Sequence, residues 1–318
     1  MEIRITPADV GKRVSVRRVL GGGGEGAVFT DVVGVLTSWT GGVLVITRKS
    51  GETVRIPESS LVAGKVVPAA PARRRGPAAS FEELARVTAR AWQPLESEPL
   101  GEWTLRAAAG FTRRANSVLP LGDPGIPLDE ALARVTSWYA ERDLPAYAQA
   151  ATGAAGTQEV LCAELEERGW VRELSAEVWT AGLAPVADAD VDVSGVRLSR
   201  ECDADWLGGY GRVADPEAAL RVLVAGPSVW FASVPGKAIG RVVVDGRWAG
   251  FTAVEVDPAH RREGRATAVM AAMARRALQE GASAAWLQVE TDNAGARGLY
   301  GGMGFAAHHA YHHFRADA

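Results

Sequence analysis

One segment of this 318-residue chain predicts a buried strand, a short polar loop and a long helix, in that order. The strand is Phe251–Val256, and the loop after it carries the motif Arg261-x-x-Gly264-x-Ala266. Beyond the loop, apolar side chains recur at the spacing of one helix face, at Ala266, Val269, Met270, Met273, Ala274 and Ala277. This pattern places the N-terminus of a helix beside the end of a strand.

The loop and the first turn of this helix have the chemistry of an anion site. Small residues let a ligand approach the backbone closely, and the free amides at a helix start point toward an anion. The helix dipole and the neighbouring guanidinium groups add positive potential. This loop contains neither a dinucleotide fingerprint nor a P-loop. The predicted pyrophosphate-binding residues are Arg261, Arg262, Glu263, Gly264, Arg265, Ala266 and Thr267.

A second informative segment follows about 30 residues later. A strand ends near Glu290, a short helix runs from Asn293 to about Gly301, and a last strand begins after Phe305. The helix and the turn after it carry N-x-x-A-x-x-L-Y-x-x-x-G-F. Together, in this order and at this distance, the two motifs resemble the GNAT acetyltransferase superfamily over residues 194–318.

The resemblance implies acetyl-CoA as co-substrate and assigns residues to it. In that family the strand before the anion loop separates from its neighbour, and its backbone pairs with the pantetheine arm; here this falls on Val254, Glu255 and Val256. Asn293 matches an asparagine near the cofactor; its other role is to cap its helix, and the two roles are compatible. Tyr300 matches the general acid for the leaving thiolate, since a phenol with a reference pKa of about 10 is protonated at neutral pH. The alternative for Tyr300 is a core tyrosine.

The general base is left open by the sequence. The similar ribosomal-protein alanine acetyltransferases carry a glutamate where this chain has Gln288, and an amide cannot accept a proton. Glu255 and Glu290 are the acids that remain, acting directly or through water, or merely solvated on their strands. Glu255 alternates with two valines, so its side chain is expected to point away from theirs.

Residues 1–67 predict a small β-barrel of the SH3-like kind, because short strands alternate with glycine-rich turns. Gly21–Gly24 is interpreted as a turn, because no helix follows it. The strands are predicted at Arg13–Val19, Ala27–Ser38, Val43–Thr47, Thr53–Pro57 and Lys65–Val67. Residues 68–79 are predicted to form a linker rich in Pro and Ala.

The N-terminal part of the chain is basic. Residues 1–75 hold 12 Lys or Arg against 6 Asp or Glu, which indicates either a nucleic-acid or acidic-protein contact or an ordinary arginine-rich surface.

Residues 80–190 predict a degenerate GNAT-like half, and residues 191–318 the catalytic half. Gly169-Trp170 matches Gly304-Phe305, which lies 304 − 169 = 135 residues later. At the same offset, Leu165 aligns with Tyr300 and Gln158 aligns with Asn293. No R-x-x-G-x-A loop precedes the second helix of the first half. Its predicted elements are helices over Phe81–Ala91, Leu128–Glu141 and Thr157–Arg168, with strands near Trp103–Ala108 and Ser117–Leu121.

The expected fold class is therefore α/β (α+β), with two GNAT folds in tandem after the barrel. Each fold is expected to have a mixed, mostly antiparallel sheet flanked by helices. In the catalytic half, the strand pattern predicts a hairpin of Ser228–Val234 with Ala238–Asp245, then a strand over Trp248–Val256. A helical region is expected over Leu198–Gly211. A final strand is expected to complete this half.

Two polar clusters have competing explanations. His308, His309, His312 and His313 resemble metal ligands, but strand alternation puts them on two faces, so a strand with one histidine lining the acceptor cleft is favoured and no metal is predicted. The other cluster is interpreted as a structural hydrogen-bond network, with the lining of a groove between the halves as the alternative. It consists of Arg106, Arg113, Arg114, Asn116 and Ser117.

The remaining features favour a cytoplasmic enzyme. Cys162 and Cys202 lack metal-ligand spacing, no apolar run reaches the roughly 18 residues of a membrane span, and no secretory signal is recognised. We expect direct acetyl transfer to a primary amine in a ternary complex, with a small-molecule acceptor favoured. The alternatives are a protein lysine or N-terminus docked by the barrel, and a non-catalytic acetyl-CoA sensor or scaffold. Membrane and nucleic-acid partners are not expected.

Overall fold

The computed structural model describes residues 3–20, 28–68, 76–211, 213 and 215–317. Its first unit is a five-stranded antiparallel sheet in the order β4-β3-β2-β1-β5. Alternating residues such as Val14, Val16, Leu44 and Ile46 are buried in one core. The predicted turn Gly21–Gly24 lies outside the described residues. The strands are β1 Arg13–Leu20, β2 Val28–Thr40, β3 Val43–Thr47, β4 Thr53–Pro57 and β5 Leu61–Val66.

The next part of the chain alternates helices and strands. The first helix is confirmed over its predicted range, and the Ser80 side chain caps it by accepting from the Glu83 amide. The predicted strand Ser117–Leu121 is wrong, because Val118 and Leu119 form only single bridges to two different strands. The elements are α1 Phe81–Ala91, β6 Glu96–Leu100, β7 Trp103–Ala107, α2 Leu128–Ala140, β8 Tyr147–Thr152, α3 Glu159–Glu167, β9 Val171–Gly182 and α4 Leu183–Ala187.

The remaining elements follow the predicted order closely. The hairpin and the strand after it have the predicted bounds. The region predicted to be helical, Leu198–Gly211, begins in a short strand and then contains one helix, Ala204–Tyr210, so the prediction is confirmed in part; a second helix follows it. The elements are β10 Arg197–Ser199, α5 Ala204–Tyr210, α6 Pro216–Val224, β11 Ser228–Val234, β12 Ala238–Asp245, β13 Trp248–Val256, α7 Arg265–Gln279, β14 Ala284–Glu290, α8 Ala294–Gly302 and β15 Ala306–Arg315.

One eight-stranded sheet joins the two halves, in the order β10-β11-β12-β13-β14-β9-β15-β8. The expectation that the last strand completes the C-terminal half is wrong, because β9 lies between β14 and β15. β9 has 12 residues, so its end can pair with β14 while nearly its whole length pairs with β15. The two halves have exchanged their final strands. The mixed, mostly antiparallel sheet flanked by helices is confirmed.

Helices cover both faces of this sheet. On one face α7 and α8 pack on β13 and β14, and the cluster includes Leu287, Val289 and Tyr300. On the other face α1, α5 and α6 pack around Trp286. Consecutive β14 side chains therefore alternate between the two cores. Within the described residues, no helix combines the length and hydropathy needed to cross a membrane.

Candidate functional site

A gap opens between β13 and β14 where their parallel pairing stops. The last pair in register is Phe251 with Leu287, although both strands continue for several residues. Just beyond, Ala253 has a φ of +50° and the register of β13 against β12 shifts, which marks a β-bulge. The backbone of Val254–Val256 therefore has β12 on one side and no paired strand on the other. A free strand edge of this kind can bind an extended ligand through its amides.

The N-terminus of α7 follows this gap. Gly264 precedes the helix with a φ of +75°, and it has no side chain with which to cap the first amides. A Cβ on Gly264 would meet no atom within 4 Å, so the space above the loop is open. Arg262 also has a positive φ, of 65°. Left-handed residues at this turn aim successive amides outward, as an anion site requires.

The charges around the loop are unevenly paired. Glu263 accepts from His260 and from Arg265, whose Nε lies 3.1 Å from Oε2, and these hydrogen bonds lower the pKa of the Glu263 carboxyl. Arg261 and Arg262 form no ion pair with any carboxylate in the described part of the chain. Two guanidinium groups are thus available to a phosphate beside the helix start.

Tyr300 lies on the same side of the sheet as α7. Its side chain is 9% exposed, and its ring packs edge-on against Phe305 at 6.1 Å between centroids. Burial, and secondarily the charge of Glu255, raises the pKa of Tyr300 to about 12. The phenol is therefore protonated throughout the neutral range. Asn293 begins the helix that carries Tyr300 and caps it, with its Oδ1 accepting from the Ala296 amide at 3.0 Å.

The two candidate bases lie in different surroundings. Glu255 lies beside the gap, close enough to affect Tyr300. Glu290 ends β14, and alternation from Val289 places it on the opposite face. There it lines a cavity of about 180 Å³ between the two halves. Gln288, on the same face as Glu290, accepts a hydrogen bond from the Trp92 indole at 3.2 Å.

The arginine-rich cluster of the first half divides into two parts. Arg106 is 3% exposed and donates to the carbonyl and hydroxyl of Ser117, both at 2.9 Å. Asn116 accepts from the amides of Ala108 and Gly110. These residues form the structural network that the sequence favoured. The neighbouring arginines, 113 and 114, line the cavity instead.

The four histidines of β15 have separate environments. His312 contacts the hydroxyls of Thr152 and Ser175, at 3.0 and 2.7 Å. A bulge places His308 against its neighbour His309. His313 lines the cavity, so the structure brings one histidine to the predicted groove. No cluster of three or more potential metal ligands occurs among the described residues.

The two residues of the first half that align with Tyr300 and Asn293 both have structural contacts. Leu165, at the position that matches Tyr300, is fully buried. Gln158, at the position that matches Asn293, bonds the Pro120 carbonyl and accepts from the Ala151 amide at 3.1 Å. The sequence did not identify Phe111, Leu174 and Tyr210 as cavity residues. They come from three distant segments, and no local pattern connects them.

Comparisons with known proteins match both parts of the chain. Residues 78–314 match the family described as "Probable histone acetyltransferase Rv0428c C-terminal", and residues 8–65 match the "Rv0428c N-terminal Sm-like domain". The chain is 30% identical over 250 residues to "Probable histone acetyltransferase Rv0428c" of Mycobacterium tuberculosis, covering 77% of this chain and 75% of that protein. The finer description of the first unit as SH3-like stays a prediction.

One solved structure shows the same fold at low identity. A GCN5-related N-acetyltransferase from Kribbella flavida superposes with a TM-score of 0.56 at 16% identity, over 74% of this chain and 95% of that one. A tandem GNAT protein from the clavulanic acid biosynthesis pathway gives a TM-score of 0.49 at 14% identity, over 63% and 74% of the two chains. The first of these establishes the architecture alone.

Proposed function

This chain belongs to the family of the Rv0428c C-terminal domain and is an acetyltransferase of the GNAT type, and on that premise we propose that it acetylates the primary amine of a small molecule. The observation that carries the proposal is the cavity at the end of β14, on the opposite face from Tyr300. A donor and an acceptor can then meet at the gap between β13 and β14 from the two faces of one sheet.

Acetyl-CoA, which acetyltransferases of this type generally use, supplies the acetyl thioester. The residues present fit it in two places. The open loop at Gly264, the first amides of α7 and the unpaired guanidinium groups of Arg261 and Arg262 suit a pyrophosphate. The free edge of Val254–Val256 suits the amides of an extended arm. The Val254 or Val256 amide polarises the reacting carbonyl.

The acid and base roles are divided between Tyr300 and Glu290. Tyr300 keeps its proton through the neutral range and gives it to the leaving sulfur. Glu290 faces the acceptor cavity, and its carboxylate makes no hydrogen bond or ion pair with a described residue. This carboxylate takes the proton of the incoming ammonium. Burial keeps Tyr300 protonated, and the negative charge of Glu255 adds to that effect. Asn293 holds the helix that carries Tyr300.

The reaction balances with no further reagent. The amine nitrogen forms a bond to the acetyl carbon, and the carbon–sulfur bond breaks. Nitrogen loses two of its three protons by way of Glu290 to solvent and keeps the third as the amide proton. Sulfur gains one proton from Tyr300, which solvent restores. The products are an amide and free CoA. No acyl-enzyme is needed, because neither Cys162 nor Cys202 lies at the gap or in the cavity.

The first test is release of free CoA from acetyl-CoA by the full chain over amines of two classes. Amino acids, polyamines and aminoglycosides form the small-molecule class, and unstructured lysine-containing peptides and histones form the other. We expect turnover with a small amine. Turnover confined to peptides or proteins would contradict the small-molecule proposal, and absence of turnover with both classes would contradict the enzymatic one.

A protein acceptor is the second candidate, because the Mycobacterium tuberculosis relative is named a probable histone acetyltransferase. In that case the basic first unit docks the target. Arg55 and Lys65 are exposed on its strands β4 and β5, and reversing their charge (Arg55→Glu with Lys65→Glu) then raises KM for proteins. If the double variant leaves the KM for proteins unchanged, this basic surface of the first unit does not dock the target.

A further inference from the structure

The cavity between the halves is built from both of them and has the size of a small metabolite. It takes up about 180 Å³, roughly the volume of six water molecules at about 30 Å³ each. Its wall includes Arg114 from the first half, Tyr210 from α5, Glu290 from β14 and His313 from the exchanged strand β15. Three of these side chains, those of Arg114, Glu290 and His313, have polar or charged atoms that can still bind a ligand.

Arg114 is held in place but not neutralised. Its Nε donates to the Tyr311 hydroxyl at 2.9 Å, and its guanidinium lies 5.6 Å from the centroid of the Trp92 ring. These contacts fix the plane of the group. It forms no ion pair with any described carboxylate, including Glu290, which lines the same cavity. Arg113 differs, because it is paired with Glu173 at 3.2 Å.

Glu290 provides the opposite charge. It lines the same cavity, and its carboxylate makes no hydrogen bond or ion pair with a described residue. One cavity therefore presents a fixed cation and a free carboxylate that do not satisfy each other. A ligand that carries both charges can satisfy both groups, whereas a simple amine leaves the arginine unpaired.

His313 supplies a third, independent indication of a ligand. The side chain is 1% exposed, and neither ring nitrogen has a hydrogen-bond partner. Burial, reinforced by Arg114 and other nearby arginines, holds the pKa of His313 well below its usual range, so the ring is neutral. A neutral imidazole has one donor and one acceptor, and a buried polar group without a partner is costly. A bound polar molecule removes that cost.

We propose that the acceptor is an amine that also carries a carboxylate, of amino-acid size. Its carboxylate pairs with Arg114, its ammonium lies against Glu290, and its polar atoms satisfy His313. This inference rests on the proposed function, because it names the substrate class of that site. The positive group at one wall and the proton acceptor at the other orient the nitrogen toward the end of β14. A peptide-bound residue lacks the free carboxylate and loses the arginine contact.

The test compares matched acceptors on the full chain. CoA release is measured with each standard amino acid, its carboxamide and the corresponding amine without a carboxylate, together with β-alanine and 4-aminobutyrate. We expect at least one free acid to exceed its carboxamide by tenfold or more in kcat/KM. If carboxamides or plain amines equal or exceed the acids, the inference is overturned while the proposed function stands.

Variants test whether Arg114 causes the preference for free acids over carboxamides. Arg114→Gln is expected to lower kcat/KM for the acid by tenfold or more and to reduce the acid-to-amide ratio, whereas Arg114→Lys keeps part of that ratio. Arg134→Gln is the matched control, because it removes an exposed arginine of α2 that lies outside the cavity. It should alter neither value. An unchanged ratio in Arg114→Gln contradicts the assignment.

A binding measurement keeps the inference testable without turnover. Calorimetric titration of the preferred acid and its carboxamide, in the presence of free CoA, reports affinity alone. We expect the acid to bind at least tenfold more tightly, and the difference to disappear in Arg114→Gln. Equal affinities, or no binding of any acid, overturn the inference. Thermal unfolding of each variant identifies a loss of binding that comes from misfolding.

Discussion

Arg114 donates a hydrogen bond from Nε to the hydroxyl of Tyr311 at 2.9 Å. The arginine belongs to the first half, and the tyrosine lies on β15, the last strand of the chain. The contact exists because β15 pairs with β9 and β8 and does not pair with β14. The exchange of final strands thus builds the wall of the cavity.

Removal of the Tyr300 hydroxyl is expected to affect chemistry and not binding. Tyr300→Phe keeps the ring against Phe305 but removes the proton donor. Since general acid catalysis contributes about 10²-fold or more, kcat should fall by about that factor, with KM for acetyl-CoA within twofold. Steady-state kinetics from pH 6 to 10 measure this. An unchanged kcat at every pH would make the assignment wrong.

Substitution of Gly264 is expected to weaken acetyl-CoA binding. Gly264→Glu puts a carboxylate into the proposed phosphate cradle, so we predict a rise in Kd of about tenfold or more, since each lost charge-assisted contact is worth about 1.5–3 kcal/mol. Gly281→Glu is the control, because Gly281 also has a positive φ (+91°) and open space but lies at the other end of α7. Calorimetry gives both affinities. If both variants lose the same acetyl-CoA affinity, the loss comes from backbone strain and not from the proposed phosphate cradle.

The first unit should undock when Gly51 is enlarged. A Cβ on Gly51 would lie 2.5 Å from Nη1 of Arg172 and 2.7 Å from Nε2 of His312, and the Arg172 guanidinium also donates to the Gly51 carbonyl. Gly51→Val is therefore expected to cost about 1–3 kcal/mol at this contact. Hydrogen exchange should rise in residues 48–53 and on β15. Gly42→Val, at a turn with open space, should leave β15 protected.

Acid should destabilise the fold through buried neutral histidines. Burial lowers the pKa of His309 and of His312 to about 3, against about 6.5 in the unfolded chain. Above pH 6.5 these two histidines are neutral in both the folded and the unfolded chain. Between pH 6.5 and about 3, they take up a proton only in the unfolded chain. The free energy of unfolding then falls as pH decreases toward 3, by ~1.4 kcal/mol per pH unit for each histidine.

Denaturant unfolding at pH 7.5 and pH 5 measures that slope. At pH 5 the loss is about 2 kcal/mol for each histidine. His312→Gln retains polar contacts to Thr152 and Ser175 but cannot titrate, so its stability should depend less steeply on pH. A variant with the slope of the original chain would show that His312 is not responsible.

Local patterns were sufficient for much of the fold and for half of the site. The periodicity of residues 251–305 predicted β13, α7, β14 and α8 with small errors, because each element is specified by its own alternation or helical spacing. The open loop and the cap at Asn293 follow from the same local chemistry. The predicted roles of Tyr300, Glu255 and Glu290 stay predictions.

Local patterns failed where the pairing partner decides the structure. β8 reads Tyr-Ala-Gln-Ala-Ala-Thr, which has little strand propensity, and it becomes a strand by pairing with β15. The strand predicted at Ser117–Leu121 has suitable residues but only single bridges.

The sequence by itself determined the segments that we propose to bind the donor, because a strand end, a glycine loop and a helix start are all specified within about 15 residues. Only the tertiary structure revealed the cavity that we propose for the acceptor. Arg114, Glu290 and His313 are far apart in the chain and meet because two halves exchange their last strands. Such pairing depends on contacts between distant residues, which no local spacing encodes.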